Sequence, residues 1–145
     1  MSDEKHITVK TLSVRQPWAH LLVHGPKDGE CRSWPTAVRG LVAIHAAKTI
    51  DRVAIDYLRI HAPEIKLPQH FETGKIVGFV NIVDCVRQHP SEWFSDDGGY
   101  FFVTDARTPW DGPAMNGRLG FFQTELPQDS QFSPAVQEFV TRYSK

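Results

Sequence analysis

The chain lacks the features that assign a protein to a special class. Its 145 residues include only two cysteines, Cys31 and Cys85. Two are too few for a disulfide framework and are typical of a reducing compartment, so we expect a cytoplasmic protein. Charge of one sign does not dominate, since 16 lysines and arginines balance 17 acidic residues and the formal net charge is −1. Binding of nucleic acid by bulk positive charge is thereby excluded, and any basic surface must be local.

Long apolar runs are also missing. No stretch approaches the roughly 20 apolar residues that a membrane-spanning helix needs, so we expect no membrane partner. The opening stretch MSDEKHITVK is charged and lacks the apolar segment of a secretory signal. Because repeats, low-complexity tracts and linkers are not seen, the sequence predicts a single domain over residues 1–145.

The segments that are present indicate an α+β fold. Apolar patterns predict strands at 7–14, 41–46, 75–86, 100–104 and 117–126. In the strongest strand, alternation places Val77 and Phe79 on one face and Ile76 and Val80 on the other. Apolar side chains on both faces predict burial on both, as in a barrel wall with helices outside. We therefore expect a small curved β-barrel of five or six strands with flanking helices.

Three helices are predicted from capping residues and helical spacing. The first begins at Pro17 and ends at Gly25 in a left-handed cap. The second covers 51–61, with Asp51 as its N-cap, and the last follows Ser133. In the second helix the spacing places four residues on one face, namely Ala54, Tyr57, Leu58 and His61.

A charged loop follows the first helix. The stretch GPKDGECR has the form G-x-K-x-x-E-x-R, with Lys27, Glu30 and Arg32 at its charged positions. If a strand begins at residue 30, Glu30, Arg32 and Trp34 share one face, and Lys27 can fold back toward Glu30. The forked donors of Arg32 could then hold a phosphate or a carbonyl oxygen. The alternative is a structural ion pair that only closes the loop onto the sheet.

Together with its surroundings this loop resembles the ASCH domain family. The resemblance rests on LSVRQPWA, GPKDGECR and RGLVAIHAAK within residues 11–48, followed in order by GKIVGFVNIVDC, YFFVTDARTPW and GRLGFF. It implies a fold similar to the PUA domain of RNA-modifying proteins, a cleft beside the charged loop, and RNA, nucleotides or modified nucleosides as ligands. Some members resemble ribonucleases, one branch hydrolyses the amide of N4-acetylcytidine, and others are binding modules. No cofactor is implied.

The amidohydrolase branch matches this chain only in part. Lys27 corresponds to the lysine of that branch, but Glu30 stands where the branch has a threonine. Asp84 is a loose match to its acidic residue. The candidate catalytic residues are therefore Lys27, Glu30 and Asp84, with either carboxylate as the group that could activate water.

Further residues could surround a ligand in the same cleft. Trp18 and Trp34 could stack on a base, which is worth roughly 1–3 kcal/mol per base in single-stranded binders. Packing in the core is the alternative for Trp18, which shares a helical face with Leu21 and Leu22. A polar and basic rim is predicted from Arg15, Gln16, Arg39, His45 and Lys48.

A metal site is not expected. His20 and His24 have the i, i+4 spacing of metal ligands on a helix, but no third ligand is evident nearby. The sequence thus favours a module that binds RNA or a modified nucleotide. A small metal-independent hydrolase, acting as a ribonuclease or on an acylated cytidine, is the second hypothesis. A domain without any ligand, with Lys27 and Arg32 in solvent, is the third.

Overall fold

The computed structural model describes residues 6–127 and 131–144, so the few remaining residues of the predicted domain lie outside it. The described part contains every strand and helix expected from the sequence. Its elements in chain order are β1 His6–Gln16, α1 Trp18–His24, β2 Gly29–Arg32, β3 Gly40–Ile50, α2 Arg52–His61, β4 Lys75–Val86, β5 Tyr100–Pro109, β6 Phe121–Pro127 and α3 Pro134–Tyr143. The α+β class is therefore as predicted.

The strands form one six-stranded mixed sheet in the order β2-β5-β4-β3-β1-β6. β1 and β3 are parallel and the other neighbours are antiparallel. The sheet is not closed into a barrel, because the edge strands β2 and β6 do not pair with each other. β2 ends at Arg32 after four residues, and the irregular segment that follows it contains Pro35, which has no N–H to donate to a ladder.

The sheet is nevertheless curled, and side chains fill the gap between its two ends. Phe102 of β5 and Phe121 of β6 stack with ring centroids 6.0 Å apart, although their strands lie near opposite ends of the sheet. The Trp34 ring meets both edge-on, at 5.3 Å from Phe102 and 5.8 Å from Phe121. Aromatic packing therefore takes the place of strand pairing in this gap.

Both faces of β4 are buried from Ile76 to Ile82, as predicted, whereas Val83 and Asp84 beyond them are exposed. One predicted alternation is wrong. In the ladder to β3, Gly78 lies opposite Ile44 and Ile76 lies opposite His45, so Val77 is an extra residue in a β-bulge. Val77 consequently packs in the cluster that contains Val80 and Ile82. Ile76 and Phe79 share the opposite cluster, beneath α3.

α2 and α3 begin after the predicted caps, whereas α1 begins at Trp18 and Pro17 is its N-cap, not its first helical residue. Two further corrections concern the end of α1 and the buried face of α2. Gly25 ends α1 with φ 93° and ψ 166°, which lies outside the left-handed helical region. Asp51 caps α2 by accepting from the amide of Ala54, but the side chains that α2 buries are Ile55 and Leu58. Tyr57 and His61, which the spacing places on one face with Leu58, are exposed, so the buried side of α2 is the neighbouring face that carries Ile55 and Leu58.

The third helix is as expected, since Ser133 accepts a hydrogen bond from the amide of Val136 and Val136 and Val140 are buried. Within the described ranges, no helix has the length and apolar character that a membrane crossing requires.

Candidate functional site

The charged loop lines a cleft of about 760 Å³, which we call the charged cleft. Its walls come from the end of β1, the start of α1, β2, the middle of α2 and the segment before β5. Its lining includes Ser13, Arg15, Trp18, Lys27, Glu30, Cys31, Arg32, Trp34, Tyr57, Leu58, Glu92, Trp93 and Phe94. The volume falls in the range of about 300–1,000 Å³ that is typical of small-molecule sites.

Lys27, Glu30 and Arg32 form one continuous network on the wall of this cleft. Lys27 is only 5% exposed, and its Nζ donates to the carbonyl of Gly29 and, at 3.0 Å, to Glu30 Oε1. Glu30 Oε2 accepts from Nη2 and Nε of Arg32 at 3.0 and 3.2 Å. Arg32 Nη2 also donates to the carbonyl of Ser13 at 2.8 Å. The carboxylate is thus held between two cations.

The local chain path explains how these charges come to face one cleft. The amide of Lys27 donates to the carbonyl of Leu21 at 3.1 Å, which turns the loop back onto α1. β2 then starts at Gly29, where a Cβ atom would lie 2.2 Å from the ring of Phe101, so only glycine fits. Glu30 and Arg32 follow two residues apart on this strand and share one face.

The network determines what its members can do chemically. The carbonyl of Gly29 and the carboxylate of Glu30 are both acceptors, so Nζ of Lys27 acts as the donor to each. Both oxygens of Glu30 are engaged by cations. The three side chains carry one formal positive charge in sum, held in fixed positions and partly shielded from water.

Trp18 and Trp34 lie beside these cations and also pack against the core. The Nζ atom of Lys27 is 5.9 Å from the Trp18 ring centroid, and Cζ of Arg32 is 5.9 Å from that of Trp34. These distances are typical of cation–π contacts. Both rings line the cleft and also pack against buried core residues, so each ring is part of the core and of the cleft wall.

Sequence reasoning missed the wall formed by residues 92–95. Ser91 Oγ donates to the carboxylate of Asp28, and Cys31 Sγ donates to the carbonyl of Trp93 at 3.5 Å. Phe94 packs edge-on against Phe101 with centroids 5.8 Å apart. These contacts hold the segment against the charged loop, β2 and β5. Two neighbouring aromatic residues in an otherwise polar connection were the sequence pattern that could have indicated it.

The structure does not bring Asp84, Arg39 or Lys48 to the charged cleft. Asp84 accepts from the amide of Cys85, and its Oδ1 lies 3.8 Å from Nη2 of Arg39 near the surface. Lys48 is exposed at the far end of β3. The acidic residue suggested by the resemblance is therefore not next to Lys27.

Two further predicted residues are buried in hydrogen-bonded positions. His45 is 1% exposed; its Nε2 lies 2.8 Å from the carbonyl of Met115, which can only accept, so Nε2 donates. His45 Nδ1 then accepts from Ser13 Oγ at 2.9 Å. Gln16, 2% exposed, donates to the carbonyl of Glu72 and accepts from the amide of His20. Both side chains tie structural elements together.

A second cleft of about 450 Å³ lies on the other side of α1, and we call it the histidine cleft. His20 and His24 stack there with ring centroids 4.3 Å apart. Burial, and next the charge of His24, lower the pKa of His20 to about 4, and burial lowers the pKa of His24. His70 and Glu72 also line this cleft, but in the described part of the chain no three such side chains are placed to hold a metal ion.

Comparison with known proteins identifies the family. The family model for the ASCH domain matches residues 12–129. Activating signal cointegrator 1 of Homo sapiens is 35% identical over 83 residues, which cover 53% of this chain and 14% of that protein. The protein of the same name from Mus musculus is 32% identical over 104 residues, covering 63% of this chain and 18% of that protein. The chain thus spans less than a fifth of either relative, and it belongs to the ASCH domain family.

Proposed function

We propose that the chain binds RNA or a modified nucleotide in the charged cleft. The observation that carries this proposal is that fixed cations and aromatic rings line the same cleft. A nucleotide presents an anionic phosphate and a planar base. Forked guanidinium donors suit the phosphate, and ring faces suit the base.

The arrangement of charges favours binding over hydrolysis. A hydrolase would need a base with a free lone pair and an acid for the leaving group. Lys27 and Glu30 engage each other, and Asp84 engages Arg39, so the three candidate catalytic residues do not converge on one point. The resemblance of the family fold to the PUA domain of RNA-modifying proteins also supports binding of RNA.

Binding can be measured by isothermal titration calorimetry with an eight-nucleotide single-stranded RNA and with nucleoside monophosphates at 0.1 M salt. We expect Lys27→Ala to lose at least tenfold in affinity for the RNA, because the fixed charge beside Trp18 disappears. The fold should survive, since Glu30 keeps its pair with Arg32. Lys48→Ala, which removes an exposed lysine outside the cleft, is the matched control and should bind within twofold of the unaltered protein.

Unchanged binding by a folded Lys27→Ala protein would contradict the proposal. Chromatography of the same mixtures, with N4-acetylcytidine as an additional ligand, tests the hydrolase hypothesis. Recovery of intact ligand agrees with a binding module. Product that forms with the unaltered protein and disappears in Lys27→Ala and Glu30→Gln would establish an enzyme instead.

A further inference from the structure

An aromatic pair stands exposed beside the charged cleft. Tyr57 and His61 lie one turn apart on α2, and their rings pack with centroids 4.3 Å apart and planes tilted by 32°. Tyr57 is 61% exposed and is also one of the residues that line the charged cleft. The buried neighbours Ile55 and Leu58 anchor α2 to the domain, so the Tyr57 ring is presented from a fixed support.

Arg15 provides a cation that the protein itself does not use. It is exposed and lines the same cleft as Tyr57. Among residues 6–127 and 131–144 the Arg15 guanidinium has no hydrogen-bond or ion-pair partner, unlike Lys27 and Arg32, which both bind Glu30. An unpaired guanidinium next to an exposed ring can hold the phosphate that joins two nucleosides.

We infer that the charged cleft and the Tyr57–His61 pair together bind two successive nucleotides of a single strand. One base enters the cleft among Trp18, Trp34 and Trp93. The next base stacks on Tyr57 outside the cleft, and Arg15 contacts the linking phosphate. This inference rests on the proposed function and specifies its ligand as single-stranded nucleic acid, not a free nucleoside.

The neighbouring residues on α2 allow a clean control. Val53, which is 81% exposed, lies one turn before Tyr57 on the same exposed face of α2, but it does not line the cleft. A base that stacks on Tyr57 needs its ring, so Tyr57→Phe should retain binding and Tyr57→Ala should lose it. If a protein partner covered this whole face of α2, Val53→Ala would weaken its binding as well.

Isothermal titration calorimetry with a mononucleotide, a dinucleotide and an eight-nucleotide strand, as RNA and as DNA, tests the inference. We expect the dinucleotide to bind about tenfold more tightly than the mononucleotide. Tyr57→Ala should reduce dinucleotide affinity about tenfold, and it should lower mononucleotide affinity by much less, because Tyr57 is only one of many residues that line the cleft. Tyr57→Phe and Val53→Ala should match the unaltered protein, and the RNA and DNA arms show whether the 2′-hydroxyl contributes.

Two results would overturn the inference while leaving the proposed function intact. One is equal affinity for the mononucleotide and the dinucleotide. The other is a loss of dinucleotide binding in Val53→Ala as large as that in Tyr57→Ala, which would indicate a broad apolar contact. Failure of all three ligands to bind the unaltered protein would instead remove the proposed function, so the two failures are distinguishable.

Discussion

The two clefts on either side of α1 differ in the charge state of their ionisable groups. In the charged cleft, Lys27, Glu30 and Arg32 are paired with one another. In the histidine cleft, burial and mutual proximity lower the pKa of His20 to about 4. Residues Trp18 and His20, two apart on one short helix, face these different environments. One cleft keeps its charges by pairing them, and the other keeps the imidazoles of His20 and His24 neutral at physiological pH.

This difference indicates which cleft is suited to an anion. Fixed cations attract a phosphate and lose little freedom when they bind it. Neutral imidazoles can only donate or accept single hydrogen bonds. At the rim of the histidine cleft a single lysine, Lys75, already pairs with two carboxylates, those of Asp111 and Glu72. The comparison therefore supports assigning ligand binding to the charged cleft.

The largest expected effect comes from removing the shared carboxylate. Glu30→Gln would leave Lys27, which is 5% exposed, without its counter-ion. Breaking a buried pair in this way typically costs about 3–5 kcal/mol in the free energy of unfolding. Urea denaturation would measure the loss. Glu92→Gln is the control, because Glu92 lines the same cleft but is exposed, and its expected effect is below about 0.5 kcal/mol. Similar unfolding free energies for both variants would show that pairing does not hold the charged cleft together.

The next effect concerns the tryptophans, because three of the four line the charged cleft and Trp110 lines the histidine cleft. Trp93→Ala should weaken binding of single-stranded RNA by about 1–3 kcal/mol, which is the usual contribution of one stacked base. Trp110→Phe keeps an aromatic ring against Phe79 and Phe132, and it should leave affinity unchanged. Fluorescence titration measures both, and a larger loss in Trp110→Phe would reverse the assignment of the clefts.

Part of the charged cleft is local in sequence, and that part was predictable. Lys27, Glu30 and Arg32 lie within six residues, so a turn followed by a strand is enough to bring them together. Tyr57 and Trp93 come from distant segments, and their position depends on the tertiary fold, which brings α2 and the segment before β5 to the same cleft. No periodicity within either segment contains that information.

The fold, too, was predictable only where it depends on residues close together in the sequence. Strands and caps follow from local patterns, but a single extra residue at Val77 exchanges the faces of β4. Strict alternation cannot reveal a bulge, because the bulge depends on the partner strand. Barrel closure depends likewise on the edges: β2 is short, and Trp34 fills the place where another strand pair would be.

The smallest expected effect tests the histidine cleft through pH. In the unfolded chain His20 titrates near its ordinary pKa of 6.5, whereas in the folded protein its pKa is about 4. Between these values the unfolded state binds more protons, so the free energy of unfolding falls as pH decreases from about 6.5 to 4. Because His20 is only half-buried, we expect a contribution of about 1–2 kcal/mol after allowance for solvent.

His20→Gln should remove this contribution, so the difference in unfolding free energy between variant and unaltered protein should change between pH 7 and pH 4.5. Taking the difference matters, because other ionisable groups, among them the carboxylates of Glu72 and Asp111, line the same cleft. Their contributions cancel if the substitution leaves them in place. His61→Gln, on the exposed end of α2, controls for the loss of a histidine. A constant difference for His20→Gln would mean that its imidazole accepts a proton in the folded state as readily as in water, and the contrast between the two clefts would then rest on the charged cleft alone.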